Sequence, residues 1–136
     1  MQYDIVKRLP SNSEFNGLSE SVGWGKRECE VINQMRKASC FAVSVYNSCD
    51  KIIVTGRIVG DGIFYTIFDV IALPEFQGKG IGTIIMNELI KWFKSLPNEP
   101  MLYLGASKGK EKFYEKLGFR PRPNEDVGAG MKYYGK

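Results

Sequence analysis

In the segment Gln77-Gly78-Lys79-Gly80-Ile81-Gly82, glycines recur at every second position between an apolar run and an amphipathic one. Glycine has no side chain to shield its peptide, so the N–H groups of such a loop are open to a ligand. Where the loop leads into a helix, the first four N–H groups have no intrahelical partner and lie at the positive end of the helix dipole. An anion can then dock on bare backbone. The spacing predicts a loop that holds phosphate. The rest of the chemistry is bounded by what is missing. With no histidine in the chain, the usual general base and the usual metal ligand are both absent, which excludes Ser-His-Asp chemistry and most zinc hydrolysis. Proton transfer falls to Asp, Glu, Tyr, Lys, Cys or water. Cys29, Cys40 and Cys49 leave one thiol over in any disulfide scheme and show no C-x-x-C spacing, so they read as reduced bystanders.

The elements that must position this loop follow from periodicity. Tyr3 to Leu9 alternates and stops at Pro10, a short first strand; Ser11-Asn12-Ser13 offers helix caps. From about Ser13 to Ser39, sparse apolar residues suit two short helices broken at Gly23-Trp24-Gly25. Residues 40–47 and 51–59 are β-branched and aromatic runs that read as a hairpin, and Ile63 to Leu73 is a longer strand ended by Pro74. After the glycine loop, Ile81, Ile85, Leu89, Trp92 and Leu96 recur at helical spacing up to Pro97. Met101 to Leu104 is a short strand, Lys110 to Leu117 a short helix with Gly118 past its end, and Phe119 to Tyr134 one or two closing strands.

At 136 residues and 43% hydrophobic content, the chain suits one domain, 1–136, with a single core. No apolar stretch approaches the roughly 18 residues that span a bilayer. The start, Met1-Gln2-Tyr3-Asp4, lacks a signal-peptide pattern, so the expectation is a cytoplasmic protein with no membrane partner. A net charge of +4, with basic residues spread along the chain, suits a small polyanion at least as well as nucleic acid. The latter would call for a basic stripe interleaved with aromatics.

Spacing separates the families that use glycine loops. A Walker loop needs a glycine five residues before Gly78 and Ser or Thr after Lys79, but Leu73 and Gly80 stand there. The dinucleotide fingerprint, begun at Gly78 or Gly80, would need glycine at Thr83 or Ile85, and the preceding strands are hairpin-linked. What remains resembles motif A of the GNAT superfamily of acyl-CoA-dependent N-acetyltransferases, Gln/Arg-x-x-Gly-x-Gly/Ala after an apolar strand. It is carried here by Val70-Ile71-Ala72-Leu73-Pro74, then Gln77, Gly80 and Gly82. A second block, Lys112-Phe113-Tyr114-Glu115-Lys116-Leu117-Gly118-Phe119, is similar to the family's helix and Gly-Phe strand. The resemblance implies an α/β (α+β) fold with a mixed, mostly antiparallel sheet of six or seven strands, splayed between the fourth and fifth and flanked by about four helices.

It also implies acetyl-CoA as co-substrate and no metal. The pyrophosphate would accept N–H bonds from the backbone between Gln77 and Thr83, through Gly78, Lys79, Gly80, Ile81 and Gly82. Lys79 would add a point charge. Ile71 and Ala72 would act through their backbones, pairing with the pantetheine arm like an added strand and offering an oxyanion donor. Ser107 stands where many members carry Asn; Phe113 belongs to the second block; Lys116 is the choice for the 3′-phosphate. Tyr114 would be the general acid that protonates the leaving thiolate, since a phenol of ordinary pKa about 10 keeps its proton near neutrality. Asp69, a lone acid in an apolar strand, reads equally as base, structural acceptor or counter-charge for an amine. Trp24, Phe15, Tyr65 and Tyr133 are candidate walls for the acceptor, although aromatic residues also fill cores. The expected function is acetyl transfer to a primary amine of a small molecule, by direct attack in a ternary complex. The alternative is a catalytically inactive acyl-CoA-binding sensor or subunit. A homodimer is open.

Overall fold

A computed structural model describes residues 2–135. The elements run β1 (Asp4–Val6), α1 (Asn12–Ser21), α2 (Cys29–Ala38), β2 (Phe41–Tyr46), β3 (Ile52–Gly60), β4 (Phe64–Ala72), a 3-10 turn (Pro74–Phe76), α3 (Ile81–Lys94), β5 (Met101–Leu104) and α4 (Glu111–Glu115). The chain groups into two compact units, Met1–Tyr103 and Leu104–Lys136, with the boundary at the end of β5.

In the first unit the strands lie in the order β1-β2-β3-β4-β5, and the first four pair antiparallel. Local chemistry sets the turns. In the β2–β3 hairpin Asn47 Oδ1 accepts from Cys49 N at 2.9 Å and Lys51 N at 3.0 Å. Between β3 and β4, Asp61 Oδ1 accepts from Phe64 N at 3.0 Å and Ile63 N at 2.9 Å. Those two N–H groups, Phe64 first, hold its carboxyl below the usual carboxylate range. Ser11 starts α1 with a capping box: its Oγ accepts from Glu14 N at 3.2 Å while Glu14 Oε1 accepts from Ser11 N at 2.9 Å.

The core forms where α3 crosses the sheet. Ile81, Ile85, Met86 and Leu89 on one face of α3 are buried with Val43, Val45, Ile53, Val54 and Ile58 of β2 and β3. Gly56 of β3 sets the depth of that crossing. A Cβ there would fall 2.9 Å from Ile85 Cγ2 and 3.0 Å from Leu89 Cδ1, so the helix sits as low as it does because that position has no side chain. Opposite Gly56, β4 carries one residue too many. Thr55 pairs with Ile71 and Arg57 with Phe68, which leaves Asp69 and Val70 facing Gly56 alone, a β-bulge with Asp69 at φ 54°.

The helices, the hairpin, β4 and β5 fall where periodicity places them. The sheet has five strands among the described residues instead of six or seven, and the difference lies in the tail. Residues 119–135 contain no strand. Pro121 and Pro123 remove ladder donors there, and Gly128, Gly130 and Gly135 contribute no side chain to a buried face. Met131 and Tyr133 are 96% and 84% exposed, so no apolar face is buried to fix a register.

Candidate functional site

The glycine loop sits between β4 and α3. Leu73 N donates to Ile53 O at 2.9 Å, and Phe76 N returns to Leu73 O at 2.9 Å, so the chain turns sharply at Pro74. Gln77 N donates to Pro74 O at 3.2 Å, and the Gln77 side chain reaches back, Nε2 to Ala72 O at 3.1 Å. Gln77 therefore fastens the loop to the last residue of β4. Gly78 and Gly80 then take φ of 76° and 81°, left-handed backbone that a side chain would strain. Gly80 is the N-cap of α3, and no side chain accepts a hydrogen bond from the first turn. N–H groups without a side-chain cap, behind two left-handed glycines, are donors that an anion can use. Lys79 rests with Nζ 5.8 Å from the centre of the Phe76 ring. Ile81 is buried and anchors the loop to the core, while Gly82 and Thr83 lie in the first turn of α3.

Ile71 and Ala72 close β4, Ile71 paired with Thr55 and Ala72 with Val54. The buried Ile71 side chain anchors the strand. Asp69, on the bulge just before them, is not a lone acid: its Oδ2 accepts from Arg57 Nε at 2.7 Å. The sequence reading did not single out Arg57. The signal was there, because Arg57 and Asp69 are lone charges of opposite sign within apolar strands joined by one turn, but counting from that turn sets Arg57 opposite Phe68, and the bulge at Asp69 is not visible in the sequence.

The second unit holds the other block. Tyr114 lies in α4, with its ring centre 5.0 Å from Phe113 and 6.3 Å from Phe119, both edge-on. Burial pushes its phenol above the ordinary tyrosine value. Gly118, at φ 103°, ends the helix and lets Phe119 N return to Tyr114 O at 3.2 Å. Ser107 is exposed and its carbonyl accepts from Lys110 N at 2.9 Å. Lys116 caps the C-terminus of α4 and is exposed.

Of the four aromatic candidates for the acceptor wall, Trp24 is exposed, between Gly23 and Gly25 at φ 81° and 79°. Phe15 lies in the core. Tyr65 packs edge-on against Trp92 and Phe93, with ring centres 5.9 and 6.0 Å away. That is the C-terminal end of α3, about 16 Å along the axis from Ile81. Tyr133 is exposed in the tail of the second unit. Among the described residues no group of three or more His, Cys, Asp or Glu could hold a metal ion, and no helix is long and apolar enough to cross a membrane.

Comparison with known proteins gives this arrangement a family. The uncharacterized N-acetyltransferase ycf52 of Porphyra purpurea is 34% identical over 128 residues, covering 89% of this chain and 70% of the relative. A solved structure from meticillin-resistant Staphylococcus aureus, a probable acetyltransferase of unknown function, superposes with a TM-score of 0.84 at 27% identity, covering 97% of this chain and all of that one. A GNAT family acetyltransferase of Streptococcus pneumoniae shares the fold at a TM-score of 0.80 and 24% identity, over 99% of this chain and all of that one. The model of the acetyltransferase (GNAT) domain matches residues 37–121, which span the β2–β3 hairpin, the glycine loop and the Phe113-Tyr114 block, and the chain belongs to the GNAT acetyltransferase family.

Proposed function

We propose that this chain, acting as one domain over residues 1–136, transfers an acetyl group from acetyl-CoA to the primary amine of a small molecule by direct attack in a ternary complex. The observation that carries this reading is the uncapped, glycine-lined start of α3, fastened to the end of β4 by Gln77. Two αL glycines and a first turn without a side-chain cap leave donors for a bound diphosphate.

When bound, acetyl-CoA supplies an activated acyl group as a thioester. The chain's own residues do the rest. The N–H groups from Gly78 to Thr83 hold the pyrophosphate while Gln77, its own N–H bonded to Pro74 O, fastens the loop, with Lys79 free to leave the Phe76 face and add its charge. The backbone of Ile71 and Ala72 orients the pantetheine arm, Ser107 and Phe113 line it, and Lys116 takes the 3′-phosphate. Tyr114 holds a proton for the departing sulfur, and its upward pKa shift keeps that proton in place across the neutral range. Asp69 Oδ1 accepts no protein hydrogen bond among the described residues, whereas Oδ2 is committed to Arg57. The first oxygen is therefore the carboxylate position on this strand for an incoming ammonium. Trp24, Phe15, Tyr65 and Tyr133 are the proposed acceptor-wall residues. No cysteine belongs to either motif, which favours direct transfer over an acyl-enzyme.

The test is a screen of primary amines with acetyl-CoA, read by CoA release and by mass of the N-acetyl product. A chain that binds acetyl-CoA and releases no CoA with any amine would be the acyl-CoA sensor instead.

A further inference from the structure

The bulge in β4 places Asp69 in left-handed backbone, φ 54°, a conformation that residues with a side chain seldom hold without support. Val70, Ile71 and Ala72 follow it directly. The support comes from Arg57 on the neighbouring strand, whose Nε donates to Asp69 Oδ2 at 2.7 Å. Both side chains are mostly out of water, 14% and 24% exposed. The same guanidinium is fixed at two further points. Its NH1 donates to Ser39 Oγ at 3.2 Å, and its centre lies 5.3 Å from the Phe68 ring centre. Ser39 caps the C-terminus of α2, and its Oγ donates to Met35 O at 2.8 Å. One arginine thus ties the last turn of α2 to the irregular residue of β4. A planar fork with several donors can serve these partners at once where a lysine cannot.

We propose that Arg57 is a positioning residue for the acyl donor. By holding Asp69 in the left-handed conformation it fixes the direction in which β4 presents the peptide groups of Val70, Ile71 and Ala72. Neither side chain has to touch the donor for this. The inference rests on the acetyl-CoA reading above, and glycine supplies the means to test it. Glycine adopts left-handed backbone without a partner, so a glycine at position 69 removes the need for Arg57.

The experiment measures acetyl-CoA affinity by calorimetry and amide exchange at Val70–Ala72 by NMR in the full chain, for wild type, R57M and the double variant R57M/D69G. Affinity is the readout because it does not depend on any proton transfer by Asp69. R57M is expected to bind acetyl-CoA about tenfold more weakly and to exchange faster at Val70–Ala72, while R57M/D69G returns to within about threefold of wild type. Deleting the carboxylate that R57M leaves unpaired relieves a charge penalty by itself, so R57M/D69A is measured alongside: alanine removes the charge but not the left-handed strain, rescue by glycine and not by alanine is expected, and equal rescue by alanine overturns the proposal. Should R57M fail to fold, R57K replaces it, since it keeps the charge but lacks the Nε–H, and the same loss and rescue are expected. R57M within about twofold of wild type, or R57M/D69G no tighter than R57M, overturns the proposal. A wild type that binds no acetyl-CoA would sink the donor reading. In that case faster exchange in R57M, reversed in R57M/D69G, would still support the hold on the bulge, and unchanged exchange would overturn it.

Discussion

A phenol that donates a proton in the transfer step must still be protonated when the step occurs, and the surroundings of Tyr114 secure that. Burial against Phe113 and Phe119 raises its pKa, so the fraction able to donate does not fall until the solution is strongly alkaline. Tyr114→Phe removes the proton and keeps the packing. It is expected to lower the turnover number about a hundredfold and to leave acetyl-CoA affinity within about twofold, measured by CoA release and calorimetry. An unchanged turnover would assign Tyr114 to packing alone. Stability carries a related signature. The Tyr46 phenol is also raised, first by burial and then by its hydrogen bond to Glu14, 3.0 Å away. Both groups ionise at a higher pH in the folded chain than in the unfolded one. Their contribution is therefore complete below about pH 10 and is lost as pH climbs through the folded values. Urea midpoints measured at pH 9 and pH 11 should fall, and the fall should be smaller in a Tyr46→Phe, Tyr114→Phe double variant. At this scale the sequence showed residue types but not their partners. Tyr114 was legible because it stands inside a motif. Arg57 was not, because pairing it with Asp69 requires a register that only the bulge defines.

At the scale of elements, the placement of the glycine loop depends on how closely α3 approaches the sheet. Gly56 permits that approach beneath Ile85 and Leu89. Gly56→Ala adds a methyl where no space exists, and the helix must lift or β3 must shift. A loss of about 1–3 kcal/mol is expected, read from urea denaturation, with acetyl-CoA affinity falling as the start of α3 moves. Unchanged stability would mean that Ile85 and Leu89 re-pack freely. The long periodic segments were legible from the chain alone, since α3 and the β2–β3–β4 run carry strong periodicity and turn residues with specific bonds. The tail was misread. Phe119 to Tyr134 was expected to form one or two closing strands around the Gly128-Ala129-Gly130 turn, but Pro121 and Pro123 cut the ladder, and Met131 and Tyr133 are exposed instead of packed. The bulge was invisible for a different reason: Asp at a left-handed position leaves no compositional mark of the kind glycine leaves.

For the whole molecule, the family fixes the kind of donor more firmly than the acceptor. Motif A and the Phe113-Tyr114 block lie within the matched residues 37–121, whereas Phe15, Trp24 and Tyr133 lie outside them. Three of the four proposed acceptor-wall residues thus lie in parts of the chain with weaker patterning, Tyr65 of β4 being the exception, which is why the amine was not legible. Binding can be tested without knowing the amine. At a concentration 100 times its dissociation constant, acetyl-CoA should stabilise the fold by about 2.7 kcal/mol, raising the melting temperature by about 10 °C. No shift at millimolar acetyl-CoA would remove the cofactor reading from the glycine loop. Stabilisation alone would fit a sensor as well as an enzyme, so the deciding measurement is turnover. With saturating acetyl-CoA and a broad panel of primary amines, the account predicts CoA release that depends on one class of amine, with one N-acetyl product formed for each CoA. Release no faster than thioester hydrolysis with every amine in the panel would contradict it.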